Sequence, residues 1–88
     1  MIGVRLAYSY DLLREQLGAR IKLLRKEHGW TLRDMVVQHG FHLSHWQRFE
    51  SGSPRGISLP TLLRIADVLE VPPWELLRGL GEVENKEQ

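Results

Sequence analysis

The side chains best equipped for directional polar chemistry gather between residues 42 and 52. Within HLSHWQRFESG, Ser44, His45, Gln47 and Arg48 supply donors and acceptors, and Leu43 adds an apolar tip. Trp46 and Phe49 are three apart, which marks the buried face of a helix and leaves Ser44, His45, Gln47, Arg48 and Ser51 on the opposite side. Guanidinium and carboxamide groups suit bidentate hydrogen bonding to flat polar edges. Catalytic chemistry is poorly provided for: there is no Cys thiol and no Gly-rich phosphate cradle, and 88 residues leave little room for a cleft. No catalytic residue is assigned, and the chain is not expected to be an enzyme.

The elements that must position this face are legible around it. Leu32, Met35 and Val36 recur at spacings of three and four, which predicts a helix beginning near Thr31, whose hydroxyl is a suitable N-cap. Gly40 stands where the chain must reverse through positive φ, and Gly52 stands where the next helix must stop. Residues 31–52 therefore read as two short helices joined by a tight turn, the helix-turn-helix arrangement whose second helix can lie in a DNA major groove.

From Leu17 to Leu77 the chain resembles the Cro/phage-repressor type helix-turn-helix family, also called XRE-type regulators. The matching stretches are LGARIKLLRKEHGWT (17–31), the G-x-x-x-x-x-W-x-x-F-E-x-G run from Gly40 to Gly52, and SLPTLLRIADVLEVPPWELL (58–77). The resemblance implies an all-α fold, a compact five-helix lambda-repressor-like DNA-binding domain. It also implies double-stranded DNA as the partner and regulation of transcription, with repression by occlusion of polymerase expected. A homodimer on a palindromic site follows, with half-sites about one helical turn, ~34 Å, apart. Leu43, Ser44, His45, Gln47 and Arg48 become the base readers. Arg48 suits guanine, Gln47 adenine, Ser44 either, and Leu43 a thymine methyl.

Backbone contacts are expected from Arg20, Lys22, Leu32, Arg33 and Arg55. In this family an Arg near the end of the first helix pairs with a Glu near the end of the recognition helix, and Arg25 and Glu50 occupy those positions as a structural ion pair. Two departures stand out. Leu32 replaces the family's usual Gln, so its side-chain contact is lost, and the 53–57 loop is about a residue longer than usual.

Charge is distributed unevenly. Residues 16–64 hold eight Lys or Arg against three Asp or Glu, and residues 65–88 hold two against six. The basic part favours a polyanion, because neutralised phosphates release condensed counterions. Zero Cys excludes a disulfide scaffold and a Cys-ligated zinc finger. No run approaches the ~20 apolar residues of a membrane span, and MIGVRLAYSY lacks the apolar stretch of a signal peptide, so a cytoplasmic location is expected.

Residues 1–8 are read as a leader or arm in which Ile2, Val4, Leu6 and Tyr8 alternate, residues 9–81 as the domain, and residues 82–88 as a flexible acidic tail. Ser9 is placed as the cap of a first helix reaching about His28, with Leu13, Leu17, Ile21 and Leu24 inward. Ser58 caps a fourth helix whose inward stripe is read as Leu59, Leu62, Leu63, Ala66 and Leu69, ended by Val71-Pro72-Pro73. A short fifth helix follows with Trp74, Leu76, Leu77 and Leu80. The leader and this fifth helix are the two candidate dimer surfaces.

His39, His42 and His45 suggest a metal-binding reading, but Gly40 interrupts the run and no Cys or carboxylate completes a tetrahedron. No metal, cofactor or small-molecule ligand is assigned. A protein-interaction module on the same fold, antitoxin-like or coactivator-like, is the stronger alternative, because Leu32 has replaced the family's Gln and function belongs to the site.

Overall fold

The computed structural model describes residues 10–53 and 56–81. The leader with Ser9, Arg55 in its loop, and the acidic tail lie outside them. All regular structure among the described residues is helical: α1 (Tyr10–Glu27), α2 (Leu32–Val37), α3 (Leu43–Ser51), α4 (Leu59–Leu69) and α5 (Pro73–Leu77).

Local chemistry accounts for most boundaries. Thr31 caps α2 in a reciprocal box: its hydroxyl accepts from the Asp34 amide at 3.1 Å, and the Asp34 carboxylate accepts from the Thr31 amide at 2.8 Å. Gly40 turns at φ 74°, while its amide and that of Phe41 close back on the carbonyls of Val36 and Met35. Gly52, at φ 82°, caps α3. The Ser58 hydroxyl accepts from the Thr61 amide at 3.3 Å, with Pro60 tolerated in the first turn of α4. The end of α4 differs from the expected stop at the prolines. Glu70 already leaves the helix at φ 62°, an uncommon conformation for a residue with a Cβ, held by amides of Glu70 and Val71 that donate to carbonyls of the last turn.

The core is Ile21, Met35, Phe41, Trp46, Leu62, Ile65, Ala66, Leu69 and Leu76. Trp46 is fully buried at its centre and meets Phe41 edge-on at 4.7 Å, with Phe49 5.8 Å away. Such aromatic contacts contribute about 0.5–1.5 kcal/mol each beyond area burial. Two positions of the expected α4 stripe are corrected. Leu59 and Leu63 are exposed, and Ile65, absent from that stripe, is fully buried. Residues 62, 65, 66 and 69 keep the helical period; Leu63 belongs to the adjacent stripe, and Leu59 lies in the first turn beyond the core cluster. In α5, Leu76 is buried, whereas Trp74 and Leu77 remain exposed.

Helix α1 is the member to which the rest is fastened. Arg14 donates to the Gly52 carbonyl at 2.8 Å, and the side-chain oxygen of Gln16 accepts from the Gly81 amide at 2.7 Å. Just past α1, His28 Nε2 lies 2.8 Å from the Leu69 carbonyl at the end of α4. At Gly18 the backbones of α1 and α3 approach so closely that an added Cβ would lie 2.5 Å from the Glu50 carbonyl oxygen. A Gly inside a helix is unfavourable by about 1 kcal/mol relative to Ala, and this crossing explains its presence.

Candidate nucleic-acid interface

Helices α2 and α3, with the Gly40 turn between them, present one outward face. Leu43, Ser44, His45, Gln47 and Arg48 are all exposed along α3, and Trp46 between them anchors the helix from behind. Gln47 and Arg48 have no side-chain hydrogen-bond partner among the described residues, so their donors are available to a ligand. His42, the N-cap of α3, makes no side-chain cap and meets His45 with ring centroids 5.0 Å apart.

The orientation of this face is set by a shielded ion pair. Arg25 Nε donates to Glu50 Oε2 at 2.5 Å and Arg25 Nη2 to Glu50 Oε1 at 3.1 Å, while Nη1 donates to the Trp30 carbonyl at 2.6 Å. The Trp46 indole N–H donates to the same Glu50 carboxylate. Both charged side chains are less than one-tenth exposed. One bidentate pair thus ties the end of α1 to the last turn of α3, and fixed fork geometry sets angle as well as distance.

The five expected backbone residues divide. Lys22 is exposed on α1 beside Gln47 and Ser51, and Arg33 is exposed in the first turn of α2. The Leu32 side chain is half-buried against the core, which leaves main-chain groups as what this position can offer, as its apolar side chain implies. Arg20 is engaged within the fold. Its guanidinium donates to the carbonyls of Glu75 at 2.6 Å and Arg78 at 2.8 Å, because the end of α5 leaves carbonyls without helical partners. It fastens α5 to α1. Replacing Arg20 with Gln is therefore expected to lower folding stability by about 1–2 kcal/mol. Thermal denaturation of the variant measures this, and an unchanged midpoint would refute the assignment.

Arg64 was missed as a positioning residue. It lies over the Phe41 ring at 4.1 Å and donates to the carbonyls of His39 and Gly40 at 3.3 and 3.2 Å, bracing the turn from α4. Counted only as a positive charge, it carries no sequence signal for that contact. The three histidines of the turn do not converge. His39 packs on Trp30 with centroids 4.4 Å apart, Trp30 in turn stacks on His28, and no set of three ligating side chains is grouped among the described residues.

Residues 16–78 match the family model described as "Helix-turn-helix domain". Among curated proteins, none matches. Three solved structures are similar over most of the chain. The BldD DNA-binding domain of S. venezulae is 28% identical with a TM-score of 0.67, covering 74% of this chain and 96% of that one. The restriction-modification controller protein C.AhdI of Aeromonas hydrophila is 29% identical with a TM-score of 0.63, covering 70% and 92%. SinR, a master regulator for biofilm formation solved in complex with DNA, is 31% identical with a TM-score of 0.62, covering 69% and 97%. The chain belongs to the helix-turn-helix domain family, as a DNA-binding regulator of the Cro/repressor (XRE) type.

Proposed function

We propose that this protein reads a specific double-stranded DNA sequence with α3 in the major groove and represses transcription by occupying its site as a cytoplasmic homodimer. The observation that carries the reading is the exposed row Leu43, Ser44, His45, Gln47 and Arg48, held by a buried Trp46 and by the Arg25–Glu50 pair. Arg48 pairs with guanine, Gln47 with adenine, Ser44 with either, and Leu43 packs on a thymine methyl. Lys22, Arg33 and Arg55 neutralise flanking phosphates. Dimerisation supplies the second half-site, since one small domain makes few base contacts. No helix among the described residues is long and apolar enough to cross a membrane, which agrees with a regulator that meets DNA directly.

The test is fluorescence-anisotropy titration of duplex DNA at several salt concentrations, followed by selection of the preferred site. Binding is expected to weaken linearly in log–log form, with a slope of about −0.9 per phosphate neutralised. Arg48→Ala is expected to cost about 1–3 kcal/mol of affinity for the selected site, roughly 5- to 150-fold, without altering the melting temperature. Equal affinity of a folded Arg48→Ala protein would remove α3 from the interface. The second reading, a protein-interaction module, is favoured by Leu32, whose packing on the core replaces a polar side chain at the edge of the interface. Absence of DNA binding at low salt would select it.

A further inference from the structure

An open, mainly apolar groove of about 430 Å³ lies between the first half of α1, the end of α3 and the end of α5. Leu13 and Leu17 of α1, Phe49 of α3, and Leu77 and Leu80 supply most of its apolar lining. Arg14 is the one charged residue among the described residues that line it. We propose that this groove is a binding site for an amphipathic carboxylate, its acid group on Arg14 and its hydrocarbon chain along the leucines.

Arg14 defines the polar end. Its Nη1 donates to the Gly52 carbonyl at 2.8 Å and its Nη2 to Asp11 Oδ1 at 2.6 Å, whereas Nε is buried and has no hydrogen-bond partner among the described residues. Buried donors almost always have an acceptor, so an unpaired one points to a group supplied from outside the chain. The kind of group follows from a second arginine of the same molecule. Through Nε and Nη2, Arg25 holds both oxygens of the Glu50 carboxylate. The same edge of Arg14 holds a single oxygen of Asp11, whose side chain is largely exposed. Exposed pairs of this kind contribute little. A carboxylate carried in on an apolar body can therefore displace Asp11 and take both donors, the fork geometry that suits planar carboxylates. The volume lies within the ~300–1,000 Å³ of small-molecule sites, which pair a mostly apolar lining with a few placed polar groups. An uncharged hydrocarbon would leave Nε without an acceptor, and a bare inorganic anion would leave the leucines against water.

Decanoate is the probe and decanol its uncharged counterpart, each titrated into the full chain by isothermal calorimetry below its aggregation limit. Saturable binding of decanoate is expected, about tenfold tighter than decanol or more, the factor that a charge-assisted hydrogen bond commonly supplies. In NOE spectra of the complex, the decanoate chain is expected to meet the methyl groups of Leu13, Leu17, Leu77 and Leu80. Arg14→Gln, which keeps a donor for the Gly52 carbonyl, is expected to bring the decanoate affinity down to that of decanol. None of these readouts involves DNA, so they stand or fall separately from the DNA-reading role. No saturable binding, equal affinities for the two probes in the parent protein, or NOEs confined to other residues would overturn the proposal, and these parent-protein results decide it even where the variant fails to fold. An affinity that falls as protein concentration rises would assign the groove to a second copy and overturn it as well.

Discussion

Arg25→Ala is expected to lose about 3–5 kcal/mol of folding stability, the usual cost of leaving one member of a shielded ion pair without its partner. A small domain holds about 5–15 kcal/mol in total, so the loss removes from about a fifth of that stability to all of it. The loss follows from what remains: Glu50, less than one-tenth exposed, would keep only the Trp46 indole N–H, and the Trp30 carbonyl would lose its donor. Urea denaturation followed by tryptophan fluorescence measures the change directly. A loss below about 1 kcal/mol would mean that water solvates Glu50 in the native state. The double variant Arg25→Met with Glu50→Leu is expected to recover much of the loss, since apolar residues of similar size can replace a buried pair at little cost. The pair's contribution is then to the fixed pose of α3 more than to net stability.

Gly18→Val is expected to be comparably damaging and Gly18→Ala to cost about 1–3 kcal/mol, in the range of overpacked cores. Helix propensity alone argues the other way, since Ala gains about 1 kcal/mol over Gly in a helix interior. The clash prevails because the atoms met are the carbonyl oxygens of Glu50 and Phe49, at 2.5 and 2.8 Å, and not the tips of flexible side chains. Relief requires α1 and α3 to separate, which also strains the Arg25–Glu50 fork. Melting temperatures of the two variants decide the matter. An Ala variant more stable than the parent would show that the helices part freely.

What could be read without coordinates was chiefly local. Thr31, Gly40, Gly52 and Ser58 mark turns and caps through chemistry contained in four or five residues, and the structure uses each of them so. The outward row of α3 followed from the spacing of Trp46 and Phe49. Arg25 with Glu50 came from resemblance, because no pattern within one helix links positions 25 residues apart.

The unread features depend on tertiary approach. Arg20 is a plain surface base until α5 brings two free carbonyls within reach, 55 and 58 residues on. Four apolar residues within Leu62–Ala66 allowed two neighbouring stripes, and only the position of the partner helices selected Ile65 over Leu63. Glu70 in a left-handed cap had no signal, since that conformation is expected of Gly or Asn.

The shielding of Glu50 has an electrostatic consequence at long range. It is the only acidic residue in α3, and its charge is cancelled within hydrogen-bonding distance by Arg25 on the side away from solvent. An anion approaching the exposed face of α3 therefore meets Arg48, and Lys22 beside it, with no exposed carboxylate on α3 itself. Encounter rates of oppositely charged surfaces rise steeply with such unopposed fields and fall with ionic strength. The bond that fixes the helix thus also silences the one charge on it that would repel phosphate.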